Sequence, residues 1–355
     1  MLAVIDRLQD ADFEFVALAP QTGRLADACK DRNLVHIPIE LRDEQGVRLS
    51  REQACGSVCE AIQRCAPHLV HANSLAMGRL TGAIAEEITI PCIAHLRDII
   101  KLSNTAVDDL NHNRLLIAVS EATKEFHVAQ GLDAKKTCVV YNGVDCERFQ
   151  PRNATGWLKQ ELNLPDDAFL IATIGQIGLR KGQDVLAEAA AFSAARLPNA
   201  YYLLIGERNS SKTESIEFER NIFRRFAEAG LESRLGKLGY RNDVDRLLNE
   251  IDLLVHPAKQ EPLGRVLLEA AAAGVPIIAT NVGGTGEILR DGESARLIPP
   301  NDPRELAAAI VELYGDPQKR MWLAEQARQC VEECFNIKHV TDELSSLWIK
   351  SAPER

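Results

Sequence analysis

The stretch Asp252-Leu253-Leu254-Val255-His256-Pro257-Ala258-Lys259-Gln260-Glu261-Pro262-Leu263-Gly264-Arg265-Val266-Leu267-Leu268-Glu269 reads as a strand, a turn and a helix. Leu253 to Val255 are apolar without alternation, and the run ends at His256 and Pro257. Unbroken apolar runs suit parallel strands covered on both faces. Pro262 and Gly264 punctuate the turn, and helical spacing then runs from Val266 to Ala273. A second apolar strand follows from Val275 to Thr280. Strand, helix and strand in this order make one crossover unit of a parallel sheet.

Two glutamates stand eight positions apart, Glu261 in the turn and Glu269 two turns into the helix. The amides of Leu263, Gly264, Arg265 and Val266 open that helix. A helix N-terminus attracts an anion through its dipole and unpaired N–H groups. A phosphate there, with a carboxylate on either side, suits a sugar nucleotide. One carboxylate can hold the diol of a ribose and the other the hydroxyls of a sugar. The competing reading makes Glu261 an ordinary acid at a helix start and Glu269 a solvated face residue. The pair alone does not choose between them.

The same alternation extends in both directions. Phe169 to Gly175 reads as a strand, Asp184 to Leu197 as a helix, Tyr201 to Gly206 as a strand and Ile216 to Ala229 as a helix. Leu235 to Leu238, the helix Val244 to Glu250, the strand Leu297 to Pro299 and the helix Pro303 to Tyr314 continue it. In the N-terminal half, strands are expected at Phe13 to Leu18, Leu34 to Pro38, Leu69 to Ala72, Pro91 to His95, Leu115 to Val119 and Cys138 to Tyr141. Helices are expected from Arg51 to Cys65 and from Gly78 to Glu87. Asn142 to Asp167, rich in Asn, Gly, Pro and charge, reads as the connection between the halves. Two doubly wound α/β domains follow, with ligands at the carboxyl ends of the strands in a cleft between them. Such a domain opens with a buried strand and a glycine turn. Residues 1–9 read instead as the tail of the first helix, so the first strand and its turn are expected to be missing. A late start codon or a truncation would account for that, and the sheet would be incompletely built.

Composition narrows the function. The chain has 355 residues, which favours two domains. Apolar residues make up 46% and charged residues 26%, as in ordinary globular proteins. The net charge of −10 argues against general nucleic-acid binding. No run reaches the roughly 20 apolar residues of a membrane span. With Asp6, Arg7 and Asp10 so close to the N-terminus, no signal peptide is expected there. Nine cysteines are scattered without a Cys-x2-Cys pair, so no metal site is expected and reduced thiols in a cytoplasm are the simplest account.

The opening stretch resembles the C-terminal domain of the glycosyltransferase group 1 family, the family 4 retaining glycosyltransferases of GT-B fold. The resemblance rests on Asp252 to Pro257, Glu261 to Gly264, Leu268 to Ala270 and Ala273 to Thr280. It continues through Gly283-Gly284, Gly286 to Ile288, Asp291-Gly292 and Leu297 to Asp302. Upstream, Val119 to Thr123 and Asn142 to Asp145 match the end of the family's N-terminal domain. The resemblance implies an acceptor-side domain over residues 1–145, a nucleotide-sugar domain over 146–334, and a last helix in 335–355 that crosses back to the first domain.

The family also implies roles. Glu269 is expected to grip the ribose hydroxyls, and Glu261 and His95 to orient the donor sugar and stabilise charge at its anomeric carbon. Gly175, Arg180 and Lys181, with the amides of Leu263, Gly264, Arg265 and Val266, are expected to hold the diphosphate. The family places an arginine where this chain has Gln176, and Arg180 is the available substitute. GT-B enzymes are metal-independent, so cations and helix dipoles must stabilise the departing nucleoside diphosphate. His71 is expected to be structural or to share the site, and Arg97 to meet an acceptor anion or an acid such as Asp98. Glu207, Arg241 and Glu287 are weaker candidates near the base and the cleft, and Asn153-Ala154-Thr155 is read as an unused sequon. The expected activity is retaining transfer of a hexosyl group from a UDP- or GDP-sugar to an acceptor hydroxyl. The acceptor is a glycan or a lipid-linked molecule, the latter with peripheral membrane contact. The alternatives are a truncated or decayed non-catalytic member, a sugar-phosphate synthase and a nucleotide-sugar epimerase.

Overall fold

The computed structural model describes residues 1–9, 11 and 13–353, and Asp10 of the charged N-terminal stretch lies outside them. The chain divides into two compact units, Met1–Tyr141 with Ile337–Arg355, and Asn142–Asn336. The divisions fall at 141/142 and 336/337, where the sequence suggested 145/146 and 334/335.

The second unit holds six parallel strands, β7 (Phe169–Ile174), β8 (Ala200–Ile205), β9 (Leu235–Gly239), β10 (Leu253–His256), β11 (Ile277–Thr280) and β12 (Arg296–Ile298). Their order is β12-β11-β10-β7-β8-β9. The pairings are all parallel. Every residue of β7, β10 and β11 is buried, which explains their uninterrupted apolar sequences. Ile171, Tyr202, Phe226, Val255 and Ile310 belong to one core beneath the covering helices.

Chain order reverses between β7 and β10. The strand β7 is followed by β8 on one side, while β10 returns to its other side. Open α/β sheets form a ligand crevice at such a switch point, outside the carboxyl ends of the strands. The loops leaving these two strands carry Gly175 to Gly182 and Pro257 to Gly264.

The segment Asn142 to Asp167 is not a free connection but the start of the second unit. Glu250 accepts hydrogen bonds from the Thr155 amide (2.7 Å), the Thr155 hydroxyl (2.9 Å) and the Gly156 amide (2.8 Å). Leu158, in the short helix Trp157–Glu161, is fully buried. The Thr155 of the apparent sequon is therefore a structural anchor. Its polarity made the stretch look like linker, because the partners lie about 95 residues away.

The first unit carries β1 (Val16–Ala19), β2 (Val35–Pro38), β3 (Val70–Ala72), β4 (Cys92–Leu96), β5 (Leu115–Ala118) and β6 (Thr137–Val139). They form two parallel sheets, β1-β2 and β3-β4-β5-β6. Among the described residues no strand joins β1 to β3. The helices Arg24–Asp31 and Asn104–Asn111 were not legible as separate elements. The helix Ile337–Ser351 packs Val340, Leu344 and Trp348 into a core with Ile93, Ile117 and Val140.

Candidate active site

Three loops meet at the switch point of the second unit. The first leaves β7 at Gly175 and closes in a tight turn, Leu179–Lys181. Gly182 follows with φ +67°, and a Cβ there would overlap the carbonyl oxygen of Pro257. Glycine thus lets the Lys181 turn press against the end of β10. Gly206, at the end of β8, has φ +138° and faces the carbonyl oxygen of Gly175 in the same way. Glycine at Gly206 thus permits this close backbone approach. The Lys259 amide donates to the Arg180 carbonyl (2.8 Å), and the Lys259 ammonium to Asp184 (2.8 Å).

This closure brings Lys181 and Glu261 together across 80 residues of sequence. Lys181 Nζ lies 2.5 Å from Glu261 Oε2. His256 Nε2 donates to the same oxygen at 2.8 Å. Glu261 is only 6% exposed. Burial pushes its carboxyl upward, but the bonds and charges of His256 and Lys181 outweigh that and hold it down at about 2. Glu261 is therefore a fixed anion at neutral pH. Its carbonyl accepts from the Gly284 amide (3.1 Å), which ties the Gly283-Gly284 loop to the site. The sequence did not single out His256. Its position at the end of a buried strand was the signal that could have found it.

The helix Arg265–Ala272 starts here from Gly264, which is left-handed and gives no side-chain cap. Its first amides are those of Arg265 and Val266, while Leu263 and Gly264, which the sequence grouped with them, precede the helix. Glu269 lies on the same helix with its side chain 17% exposed, so it is not a solvated face residue. Arg265 Nη2 donates to it at 3.2 Å, but that arginine is 73% exposed and such a pair is weak. Burial pushes the Glu269 carboxyl up against the pull of Arg265. A cavity of about 280 Å³ opens beside the Lys181 turn, lined in part by Gln176, Gly178, Arg180, Lys181, Ser210 and Ser215. Gln176 thus occupies the wall where the family pattern calls for a cation, and Arg180 stands on the same wall. Arg241 pairs with Glu161 (2.6 Å) and Asp243 (2.7 Å) over the Trp157 ring. The Glu207 carbonyl accepts from Ile177 (3.0 Å), and Glu287 sits in the short helix Thr285–Ile288.

In the first unit, His95 lies on β4 and His71 on the adjacent β3. His95 is 2% exposed. His71 Nε2 is 3.1 Å from His95 Nδ1, and Arg97 Nη2 is 3.2 Å from the same nitrogen. Arg97 Nε also donates to Asn73 (3.0 Å). Trp348 Nε1 donates to His71 Nδ1 at 2.9 Å. Burial lowers the His71 pKa to about 3, with Arg97 adding to the effect. Burial, then Arg97 and His71, pushes His95 well below its ordinary value of 6.5. Both imidazoles are neutral at pH 7. Among the described residues no group of three or more His, Cys, Asp or Glu is placed to hold a metal ion.

The sequence pattern described as glycosyl transferases group 1 matches residues 157–330. The pattern described as Glycosyltransferase Family 4 matches residues 1–148. The chain belongs to the group 1, family 4 glycosyltransferases. It is 23% identical over 365 aligned positions to the UDP-Gal:alpha-D-GlcNAc-diphosphoundecaprenol alpha-1,3-galactosyltransferase of Escherichia coli, covering 98% of this chain and 92% of that one. It is 25% identical to a D-inositol 3-phosphate glycosyltransferase of Thermomonospora curvata, covering 87% and 78% of the two chains. The crystal structure of Anabaena Alr3699/HepE in complex with UDP-glucose superposes with a TM-score of 0.87 at 22% identity, covering 98% and 94%. The fold is therefore GT-B, built from two Rossmann-like units. No helix among the described residues is long and apolar enough to cross a membrane.

Proposed function

We propose that this glycosyltransferase moves a hexosyl group from a UDP-sugar to an acceptor hydroxyl, with retention of anomeric configuration. The observation that carries the reading is the buried Lys181–Glu261–His256 cluster at the switch point, set between an uncapped helix N-terminus and a cationic cavity wall. Lys181 and Arg180, with the amides at Leu263 to Val266, meet the diphosphate and stabilise the charge it gains on leaving. Glu269 accepts from the ribose hydroxyls. Glu261 keeps Lys181 and His256 on Oε2 and offers Oε1 to a hydroxyl of the donor sugar. His95 orients the same sugar as a neutral hydrogen-bond donor. No group in the described cluster is singled out as a nucleophile, which supports same-face displacement, with the leaving phosphate taking the acceptor proton.

The choice of UDP rests on the Escherichia coli relative, named for UDP-galactose, and on the Anabaena protein crystallised with UDP-glucose. The former name also supports a lipid-linked sugar diphosphate as acceptor. The test is incubation with UDP-glucose and UDP-galactose in the presence of a polyprenyl diphosphate-linked sugar, followed by mass and anomeric NMR analysis. The expected product is a new α-glycoside. Free sugar, a sugar phosphate or an epimerised nucleotide sugar as the sole product would overturn the reading.

A further inference from the structure

We propose that Trp348 and His71 are positioning residues that fix the tautomer of His95, so that His95 Nε2 carries the proton and presents it to an oxygen of the donor sugar. The role of the sugar rests on the function proposed above; the tautomer rests on geometry alone.

An indole N–H can only donate. Trp348 Nε1 therefore fixes His71 Nδ1 as an acceptor. A neutral imidazole carries one proton, so the proton of His71 is on Nε2. That nitrogen faces His95 Nδ1 at 3.1 Å and donates to it. The Arg97 guanidinium, also a donor only, reaches the same Nδ1 at 3.2 Å. Two independent donors thus agree on the lone pair at His95 Nδ1. The His95 proton is left on Nε2.

His95 Nε2 is buried and has no hydrogen-bond partner among the described residues. Leaving a buried N–H unpaired is unfavourable. The chain of donors that imposes this state spans two strands and a helix from the far end of the sequence. A substrate oxygen that accepts from Nε2 accounts for the arrangement. His95 acts in it as a donor and not as a base, because its remaining lone pair is already taken. Protonating either ring would oppose Trp348 or Arg97 with an N–H, and burial with the Arg97 charge keeps both rings neutral.

The experiment has two arms. In the first, the full chain is labelled with ¹⁵N-histidine and its tautomers are read from long-range ¹H–¹⁵N correlations. The expected result is Nε2–H at both His71 and His95, with Trp348→Phe producing a measurable Nδ1–H population at His71. His95 found as Nδ1–H in the wild type would overturn the proposal, whether or not the protein transfers sugar. In the second arm, release of UDP from UDP-glucose and UDP-galactose is compared among His71 variants. His71→Gln keeps an acceptor for Trp348 and a donor for His95, whereas His71→Leu keeps neither. His71→Leu should lose at least tenfold in kcat and His71→Gln at most threefold, each with donor KM changed less than kcat. Equal losses in the two variants, or none in His71→Leu, would overturn the positioning role. A wild type that releases no UDP from either donor would count against the proposed function and leave the first arm to decide the tautomer.

Discussion

Replacing Glu261 by Gln tests the electrostatics of the site quantitatively. The carboxyl is held at about 2 in the folded protein against an ordinary 4.5. That difference corresponds to about 3 kcal/mol of preference for the folded state when the group is ionised. Because Glu261 is almost fully buried, solvent screening removes little of it. The folded pKa is the lower one, so the contribution is complete above about pH 4.5 and is lost as pH falls toward 2. Glu261→Gln keeps the shape and part of the hydrogen bonding but removes the charge from between Lys181 and His256. The variant should be less stable by about 2–3 kcal/mol at pH 7 and by only about 1 kcal/mol at pH 3. The assay is urea unfolding followed by tryptophan fluorescence, since Trp157 and Trp322 both lie in the second unit. A loss below about 0.5 kcal/mol at pH 7, or one that does not shrink on acidification, would refute the argument.

Three further outcomes follow from other parts of the structure. His71 titrates at about 3 when folded and 6.5 otherwise, so its neutral burial stabilises the protein less as pH falls below 6.5. Stability should drop by about 2 kcal/mol from this residue between pH 7 and pH 5, and His71→Gln should remove that share of the pH slope in urea titrations. Gly182→Ala forces a Cβ onto the Pro257 carbonyl at a left-handed position. It should cost at least about 2 kcal/mol and lower transferase activity, and a neutral result in thermal unfolding would count against the tight turn beside Lys181. Thr155→Val removes one of three donors from the buried Glu250 and should cost about 1–2 kcal/mol by urea unfolding.

Much of this molecule was legible in its sequence, for identifiable reasons. Buried parallel strands such as Phe169–Ile174 and Leu253–His256 declare themselves through continuous apolar runs. Glu261 and Glu269 were visible as a pair around a glycine turn, but their roles, and the choice of Lys181, came from the family resemblance. What escaped were relationships that depend on distant partners. Glu250 turns an apparent linker into part of a domain, and that bond links residues in unrelated elements. His256 looked like the end of a strand until the fold set Glu261 beside it. Trp348 lies on the buried apolar face of the last helix with Val340 and Leu344. Its indole N–H meets His71 across 277 positions, which periodicity cannot reveal. Short helices such as Asn104–Asn111 also escaped, because eight residues hold only about two periods of the pattern.

The central claim is that the second unit binds a nucleoside diphosphate through Lys181, the Arg265–Ala272 helix N-terminus and Glu269. Calorimetric titration of the full chain with UDP, in metal-free buffer, tests it most directly, with Glu269→Ala as the paired variant. Saturable binding by the wild type, weakened at least tenfold in Glu269→Ala, is the predicted result. Absence of UDP binding, or equal affinity in the two proteins, would contradict it.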